Sequence, residues 1–467
     1  PLYSSAASDV FKSQTLGVAT LIVVKSVMNG FRTELVNRIL GINGHLMIYS
    51  QESNFVKNYN SIAKQVINFE NVLAITPQVE GQALARSKTH ITGVMIRGAR
   101  WTDLQTKKLL WKSLSKEARA NYKNKKSSES SLVVKKEFNK NLLNSLVSGE
   151  FWTRDLINIP ASDLGPEELE QETRNLARRF GAEVSVITGK SLIEQNFPMI
   201  HAVGRSSVQE PRLIDMKWGS EKAPKVTLVG KGVCFDTGGL NIKPGLSMGL
   251  MKKDMGGAAT VLGLALMLLE AQLDIRLRVL IPAVENSISS SAFRPQDILK
   301  SRKGLTVEIN NTDAEGRLIL ADAISLADEE APELLICMAT LTGAARIALG
   351  SDIAPFYTDD DHLAKKIFDF GEEYFDPTWR MPFWNPYERM IEPNIADLDN
   401  APRTGFAGSL TAALFLRRFV TTSKNFIHFD IYGWSEGDRN ARPKGGVGMA
   451  SRALYYLIRG EYGKHTR

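Results

Sequence analysis

The chain has 467 residues, 43% of them hydrophobic and 23% charged, with a formal charge of +7 at neutral pH. That length suits two or three domains with a sizeable core, and the ordinary apolar content excludes a disordered or fibrous chain. The charge is uneven: residues 1–150 carry 21 Lys and Arg against 10 Asp and Glu, the remainder 37 against 41, which excludes a nucleic-acid groove in the larger part.

Residues 16–24, LGVATLIVV, form a nine-residue apolar run ended by Lys25. It is short of the ~20 residues a spanning helix needs and lacks the leader and cleavage site of a secretory signal. Up to residue 114, short apolar runs alternate with polar turns, which predicts a small, atypical α+β segment. Residues 115–131, SKEARANYKNKKSSESS, are charged and Ser-rich and read as a solvated linker. We therefore expect an N-terminal segment over 1–114, a linker over 115–147 and a main domain over 148–467.

The main domain is regular. Residues 165–181, GPEELEQETRNLARRFG, carry Pro166 at the start, acids in the first turn, arginines in the last and a closing Gly181, the full set of helix boundary signals. AEVSVIT and KVTLVGKGV (225–233) read as strands, MGGAATVLGLALMLLEAQ (255–272) as an apolar helix, and IRLRVLIPAVE and LTVEIN as further strands. RLILADAISLADEE is helix-like and ELLICMATLT strand-like. Strands without polar alternation, interleaved with helices, predict an α/β fold with a mainly parallel mixed sheet flanked by helices. The two cysteines, Cys234 and Cys337, lie in such apolar strands and read as buried free thiols of a reducing compartment, hence the cytoplasm.

In sheets of this kind the active site lies beyond the carboxyl ends of the strands. KVTLVGKGV empties into KGVCFDTGGLNIKP, with Lys231, Asp236 and Lys243; MKKDMGGAA sets Asp254 at a helix start; LTVEIN runs into NNTDAEGRLIL, with Asp313, Glu315 and Arg317. In an extended backbone, Asp313 and Glu315 would point the same way roughly 6.6 Å apart, with Gly316 turning the chain into the next helix. Four carboxylates on one rim repel one another unless a cation neutralises them, and an oxygen-rich cluster suits a pair of divalent ions. The six histidines show no HExxH or paired spacing, and His428, in NFIHFDIYGW, reads as a strand histidine of the core. Lys231 could coordinate as a neutral amine if desolvated beside positive charge, and Lys243 could stay protonated and stabilise an oxyanion. Either lysine alone would read as a surface charge; seven polar residues on one rim do not.

VGKGVCFDTGGLNIKP, MKKDMGGAAT and NNTDAEGRLILADA, together with RDLINIPASDLGP, LTGAARIALG and GSLTAALFL, resemble the leucyl (cytosol) aminopeptidase family over about 148–467. The resemblance implies a catalytic domain with a dinuclear site that hydrolyses the N-terminal residue, leucine-like by preference, from peptides with a free N-terminus, usually in hexamers. Lys231, Asp236, Asp254 and Glu315 would hold the tightly bound ion, and Asp236, Asp313 and Glu315 the more exchangeable one, with zinc, manganese or magnesium as the metal. Lys243 would polarise the peptide carbonyl, and Arg317 would anchor a bicarbonate ion through its bidentate fork. Met251 resembles a wall of the side-chain pocket, and Leu341 and Gly343 resemble substrate-backbone contacts.

The family's usual N-terminal domain is not what the first part reads as. Residues 14–100 instead resemble the start of an inner-membrane permease subunit of lipoprotein-releasing ABC transporters, as a fused or rearranged reading frame would produce. The competing expectation is a membrane-associated transporter fragment joined to an inactive peptidase half. Nucleic-acid binding through the basic first 150 residues has no motif behind it.

Overall fold

The structure, a computed structural model, describes residues 78–86, 91–99, 139–402, 404–438 and 443–463. Two compact units divide the chain after residue 134. In the first, β1 (Gln78–Arg86) and β2 (Ile91–Ala99) pair antiparallel, from Gln78 opposite Ala99 to Arg86 opposite Ile91. The rest of the permease-like segment, the apolar run at 16–24 and the linker as far as residue 138 lie outside the described residues.

The second unit opens with α1 (Lys140–Asn158), capped by the Asn139 side chain, which accepts from the Leu142 N–H. Its helix thus begins before residue 148. In α2 (Pro166–Phe180), Pro166 occupies the first turn, where a backbone N–H would lack a partner, and Gly181 ends the helix in the left-handed conformation at φ 66°. Next come β3 (Glu183–Thr188), α3 (Pro198–Gly204), β4 (Arg212–Trp218), β5 (Lys225–Gly230) and β6 (Gly232–Asp236). They lead to α4 (Gly256–Glu270), β7 (Arg276–Asn286), β8 (Ile298–Lys300) and β9 (Thr306–Glu308). Then follow α5 (Gly316–Glu329), β10 (Leu334–Ala339), α6 (Gly343–Leu349), β11 (Ala354–Tyr357), α7 (Asp361–Glu373) and β12 (Thr378–Met381). The chain closes with β13 (Leu398–Asp399), α8 (Gly408–Arg417), β14 (Phe426–Asp430) and α9 (Ser451–Glu461).

The main sheet runs in the order β12-β11-β14-β10-β5-β7-β4-β3, with β6 also beside β7. Its centre, from β14 through β10 and β5 to β7, is parallel, and β4 and β3 extend one edge antiparallel. Side chains alternate across the pleat, so Leu334, Ile336 and Met338 of β10 join one apolar layer while Leu335, Cys337 and Ala339 join the other. The first layer is packed by α1, α2, α4, α7 and α9, the second by α3, α5 and α8. This is the mainly parallel α/β sheet, covered on both faces, that the unbroken apolar strands predict. α4 is apolar all round because almost every position in it is buried. Cys234 and Cys337 are free, buried and on opposite faces of the sheet. Among the described residues no helix is long and apolar enough to cross a membrane.

Two expectations need correction. LTVEIN is a strand only over Thr306–Glu308, and that strand, β9, belongs to a small separate sheet with β8 and β13. The main sheet therefore does not deliver Asp313 and Glu315 by its own strand ends. KVTLVGKGV is also two strands rather than one, interrupted at Lys231.

Candidate metal centre

The interruption at Lys231 has a local cause. Its N–H donates to the Met338 carbonyl at 3.0 Å and its own carbonyl accepts from Ala258 N–H at 2.9 Å, so the backbone ties to β10 on one side and α4 on the other. A Cβ on Gly257 would lie 2.2 Å from the Met338 oxygen, so glycine is what lets the first turn of α4 lie against the strand ends. The Lys231 side chain, 3% exposed, is thereby confined. Its Nζ donates to Asp254 Oδ2 at 2.7 Å and to the Thr340 carbonyl at 3.1 Å, and it faces Glu315 Oε1 at 3.0 Å.

Asp254 sits in the 3-10 turn Met251–Met255 just before α4, and its Oδ1 accepts from Thr340 Oγ1 at 2.8 Å. Asp236, at the end of β6, accepts on Oδ1 from Gly238 N–H and Asn286 Nδ2, each at 2.8 Å. Its Oδ2 is 2.8 Å from Lys243 Nζ, which also pairs with Asp313.

Residues 310–315 do not form the extended segment expected from their alternation. Asn400 Oδ1 accepts from the N–H groups of Asn310 and Asn311 at 2.8 and 3.2 Å, Asn311 Oδ1 accepts from Asp313 N–H at 2.8 Å, and Ala314 N–H closes onto the Asn311 carbonyl at 3.2 Å. Thr312 is pinned to the Asp236 loop, donating from Oγ1 to the Gly238 carbonyl at 2.6 Å. The result is a turn, followed by Glu315 in helical conformation (φ −73°, ψ −34°) at the head of α5. Turning brings the acids together: one oxygen each of Asp236, Asp313 and Glu315 lie within 4.8 Å of one another. Gly316 serves a purpose other than bending the chain, because a Cβ there would lie 2.5 Å from Lys231 Cε. Its missing side chain is the space the lysine occupies.

Asp236, Asp254, Asp313 and Glu315 face the two ammonium groups of Lys231 and Lys243. Negative charge is in surplus. Burial, then the neighbouring Asp236, pushes Glu315 up to about 8 and Asp313 up to about 6, and burial also raises Asp254. For Lys231 burial works against the charge, but Asp254, Glu315 and Asp236 outweigh it and hold the ammonium above the ordinary lysine range. Lys243 is held the same way by Asp236, Glu315 and Asp313. These surroundings keep Lys231 protonated rather than neutral, so coordination by its amine requires release of that proton.

A divalent pair fits this donor set. Glu315 is 1% exposed, yet neither of its oxygens is in a hydrogen bond; Oε1 is close to Lys231 but off line for one. Asp313 Oδ1 is likewise without a hydrogen bond, although it pairs with Lys243. Buried carboxylate oxygens without donors are costly, and a cation is what removes the cost. Residues 151–455, which contain every one of these groups, match the model of the cytosol aminopeptidase family, catalytic domain. The chain belongs to the cytosol aminopeptidase family.

Similar proteins include a probable cytosol aminopeptidase of Roseiflexus castenholzii, 42% identical over 66% of this chain and 63% of the relative, and one of Chlorobium limicola, 41% identical over 66% and 61%. The chain thus spans less than two thirds of the length of these curated relatives. Among solved structures, the cytosol aminopeptidase of Coxiella burnetii is similar with a TM-score of 0.68 and 49% identity, covering 69% of this chain and 70% of that one. The bottromycin maturation enzyme BotP in complex with Mn is similar at a TM-score of 0.65 and 34% identity, with the same coverage.

On this aminopeptidase scaffold the other expected site residues fall as follows. Arg317, in the first turn of α5, is 8% exposed, and its Nε and Nη1 have no hydrogen-bond partner. Burial lowers it to about 10, with Asp430, Glu315 and Asp399 acting in the other direction. Met251 begins the turn that carries Asp254 and is half-buried. Leu341 is half-buried, and Gly343, exposed at the start of α6, has open space where a Cβ would stand. His428 is fully buried in β14, stacked on Tyr357 at 6.0 Å, and takes no place among the acids.

Several supporting residues were not singled out from the sequence. Asn286 donates to Asp236, while Asn241, Thr312 and Asn400 hold the Asp236 loop and the 310–315 turn through side-chain hydrogen bonds; of these only Thr312 lies within the NNTD stretch. Asp430 was missed altogether. It is 1% exposed at the end of β14, where Oδ1 accepts from the N–H groups of Leu341 and Thr342 at 3.1 and 2.9 Å. Its Oδ2 accepts from Thr342 Oγ1 at 2.6 Å and Ser409 Oγ at 2.8 Å.

Proposed function

We propose that the chain is a leucyl aminopeptidase-type metallo-exopeptidase that hydrolyses the N-terminal residue, leucine-like by preference, from peptides with a free N-terminus. The observation that carries this reading is the convergence of Asp236, Asp313 and Glu315 on one point, with buried oxygens left without donors, in a chain of this family. Lys231, Asp236, Asp254 and Glu315 would hold one ion, and Asp236, Asp313 and Glu315 the other. Bound there, two divalent ions (manganese, zinc or magnesium) supply an acidified water and Lewis-acid polarisation of the peptide carbonyl.

The chain's own groups do the rest. Lys243, kept protonated by its carboxylate neighbours, offers an ammonium to the carbonyl oxygen as negative charge develops there. Arg317 presents unpaired N–H groups in a buried position, which suits a small planar anion such as bicarbonate acting as a proton carrier. Asp430 fixes the backbone of Leu341 and Thr342, and Leu341 and Gly343 would then guide the substrate backbone while Met251 lines its side-chain pocket.

The same reading takes the protein as cytoplasmic, without nucleic-acid partners, and as a hexamer, all three resting on the sequence and its family resemblance. The domain limits 1–114, 115–147 and 148–467 and the permease-like origin of residues 14–100, with any membrane association of that segment, rest on sequence alone. The test is release of leucine from leucyl arylamide by the purified full chain with added Mn²⁺ or Zn²⁺, abolished by chelator and by Asp254→Ala. Hydrolysis that survives both treatments would refute the metal-dependent mechanism, and a metal-loaded protein that releases nothing would refute the activity.

A further inference from the structure

Two buried lysines and a half-buried one lie around this site, and two of the three are paired with carboxylates. Lys231 is paired with Asp254 and Glu315, and Lys243 with Asp236 and Asp313. Lys253 differs. It is 6% exposed, and among the described residues its ammonium makes no hydrogen bond or ion pair. Its neighbour is instead the ring of Tyr432, with Nζ 4.6 Å from the centroid. Arg346 lies by the same ring, Cζ 4.9 Å from the centroid, and its Nη1 donates to Tyr432 Oη at 3.1 Å. Tyr432 Oη in turn donates to Glu436.

A ring shared by two cations gives some stabilisation from its π face, and the charges of Asp254 and Asp430 also act on Lys253, but neither pairs with the ammonium directly as the carboxylates of Lys231 and Lys243 do. The position of the pair suggests what would. Lys253 immediately precedes Asp254 in the Met251–Met255 turn, while Arg346 lies on α6, whose first residue is Gly343. Tyr432 follows two residues after Asp430, the side chain that holds Leu341 and Thr342. The cationic pair therefore spans the two segments assigned above to substrate. Arg346 is exposed and held to this ring by a single hydrogen bond, whereas Lys253 is buried.

We propose that Lys253 and Arg346 form a carboxylate-binding subsite beside the catalytic centre, which takes a substrate carboxylate with a buried ammonium and an exposed guanidinium. This rests on the aminopeptidase reading and refines its substrate class. The carboxylate has two chemical sources: the side chain of an N-terminal Glu or Asp, or the free C-terminus of a dipeptide.

The test compares matched pairs on the Mn²⁺-loaded full chain: Glu-arylamide against Gln-arylamide, and Leu-Gly against Leu-Gly-amide. One charge-assisted contact predicts a preference of about tenfold or more in kcat/KM for the charged member of one pair, and the pair that shows it names the source. Lys253→Met and Arg346→Met should each bring that ratio toward one. Calorimetric binding of L-glutamate against L-glutamine, and of the same two dipeptides, reads the preference without turnover. Ratios near one for both pairs in the unaltered protein, by kinetics and calorimetry alike, would overturn the subsite, as would a preference that persists in both variants. Preferential binding without any hydrolysis would instead refute the peptidase reading and leave the subsite standing.

Discussion

Gly316→Ala is the sharpest single test of how the centre is packed. The added methyl would lie 2.5 Å from Lys231 Cε and 2.8 Å from Nζ. Carbon contacts settle near 3.5–4.0 Å, so the end of the lysine has to retreat by about 1 Å. A free lysine would do so at little cost. This one is held by Asp254 at 2.7 Å, Glu315 at 3.0 Å and the Thr340 carbonyl at 3.1 Å, and retreat weakens all three. Uncoupling a buried ion pair costs about 3–5 kcal/mol, whereas alanine in place of glycine in a helix gains at most about 1 kcal/mol. The expected net effect is a loss of about 2 kcal/mol or more in urea denaturation. Under the proposed function, displacing a metal-holding group by about 1 Å also predicts a fall in leucyl-arylamide turnover on the order of a hundredfold. A variant as stable and as active as the unaltered protein would show that the space above Gly316 does not constrain Lys231.

Other outcomes follow from the same structure. Asp430→Asn offers one acceptor where the carboxylate accepts four hydrogen bonds from Leu341, Thr342 and Ser409, so KM for peptide substrates should rise about tenfold or more while bound metal, read by elemental analysis, stays the same. Asp322 accepts from the N–H groups of Met199, Ile200 and Arg302, and Asp322→Ala should cost about 3–5 kcal/mol in chemical denaturation by leaving those donors buried without a partner. Burial pushes the Asp322 carboxyl up to about 7 despite these donors. Its folded pKa lies above the unfolded one, so its contribution is fully present below pH ~4 and is lost as pH rises through about 7; the stability of the unaltered protein relative to Asp322→Asn should fall across that window by up to about 4 kcal/mol. Burial lowers His428 to about 3, so its contribution is present above pH ~6.5 and is lost as pH falls through about 3. Its imidazole should show no NMR titration between pH 5 and 8, and a midpoint near 6.5 would refute its burial as a neutral core residue.

The sheet and its helices were legible because burial on both faces demands unbroken apolar strands, as in β10, and because helix ends carry their own chemistry, as Pro166 and Gly181 do in α2. The acids were legible for a related reason: a divalent site needs carboxylates, and few sequence positions can supply them. The shape of residues 310–315 was hidden, because the turn is made by Asn400, some 90 positions away, and by the Asp236 loop rather than by local spacing. Asp430 was hidden because its value lies in the backbone groups it receives from beyond β10, which a sequence does not display. Nothing in the sequence distinguishes Lys253 from Lys252 beside it; only burial separates the two.

The alternation of β10 between two apolar layers has an engineering consequence. Deleting one residue from this strand would exchange its two sets of side chains, setting Cys337 and Ala339 where Ile336 and Met338 now pack, so the interior would have to repack around cavities on one face and crowding on the other. Thr340, immediately downstream, would then face away from the Asp254 and Lys231 that it now steadies. Even a redesign that repacked both faces would lose this chemistry, so solubility and melting behaviour alone are poor guides when this strand is redesigned.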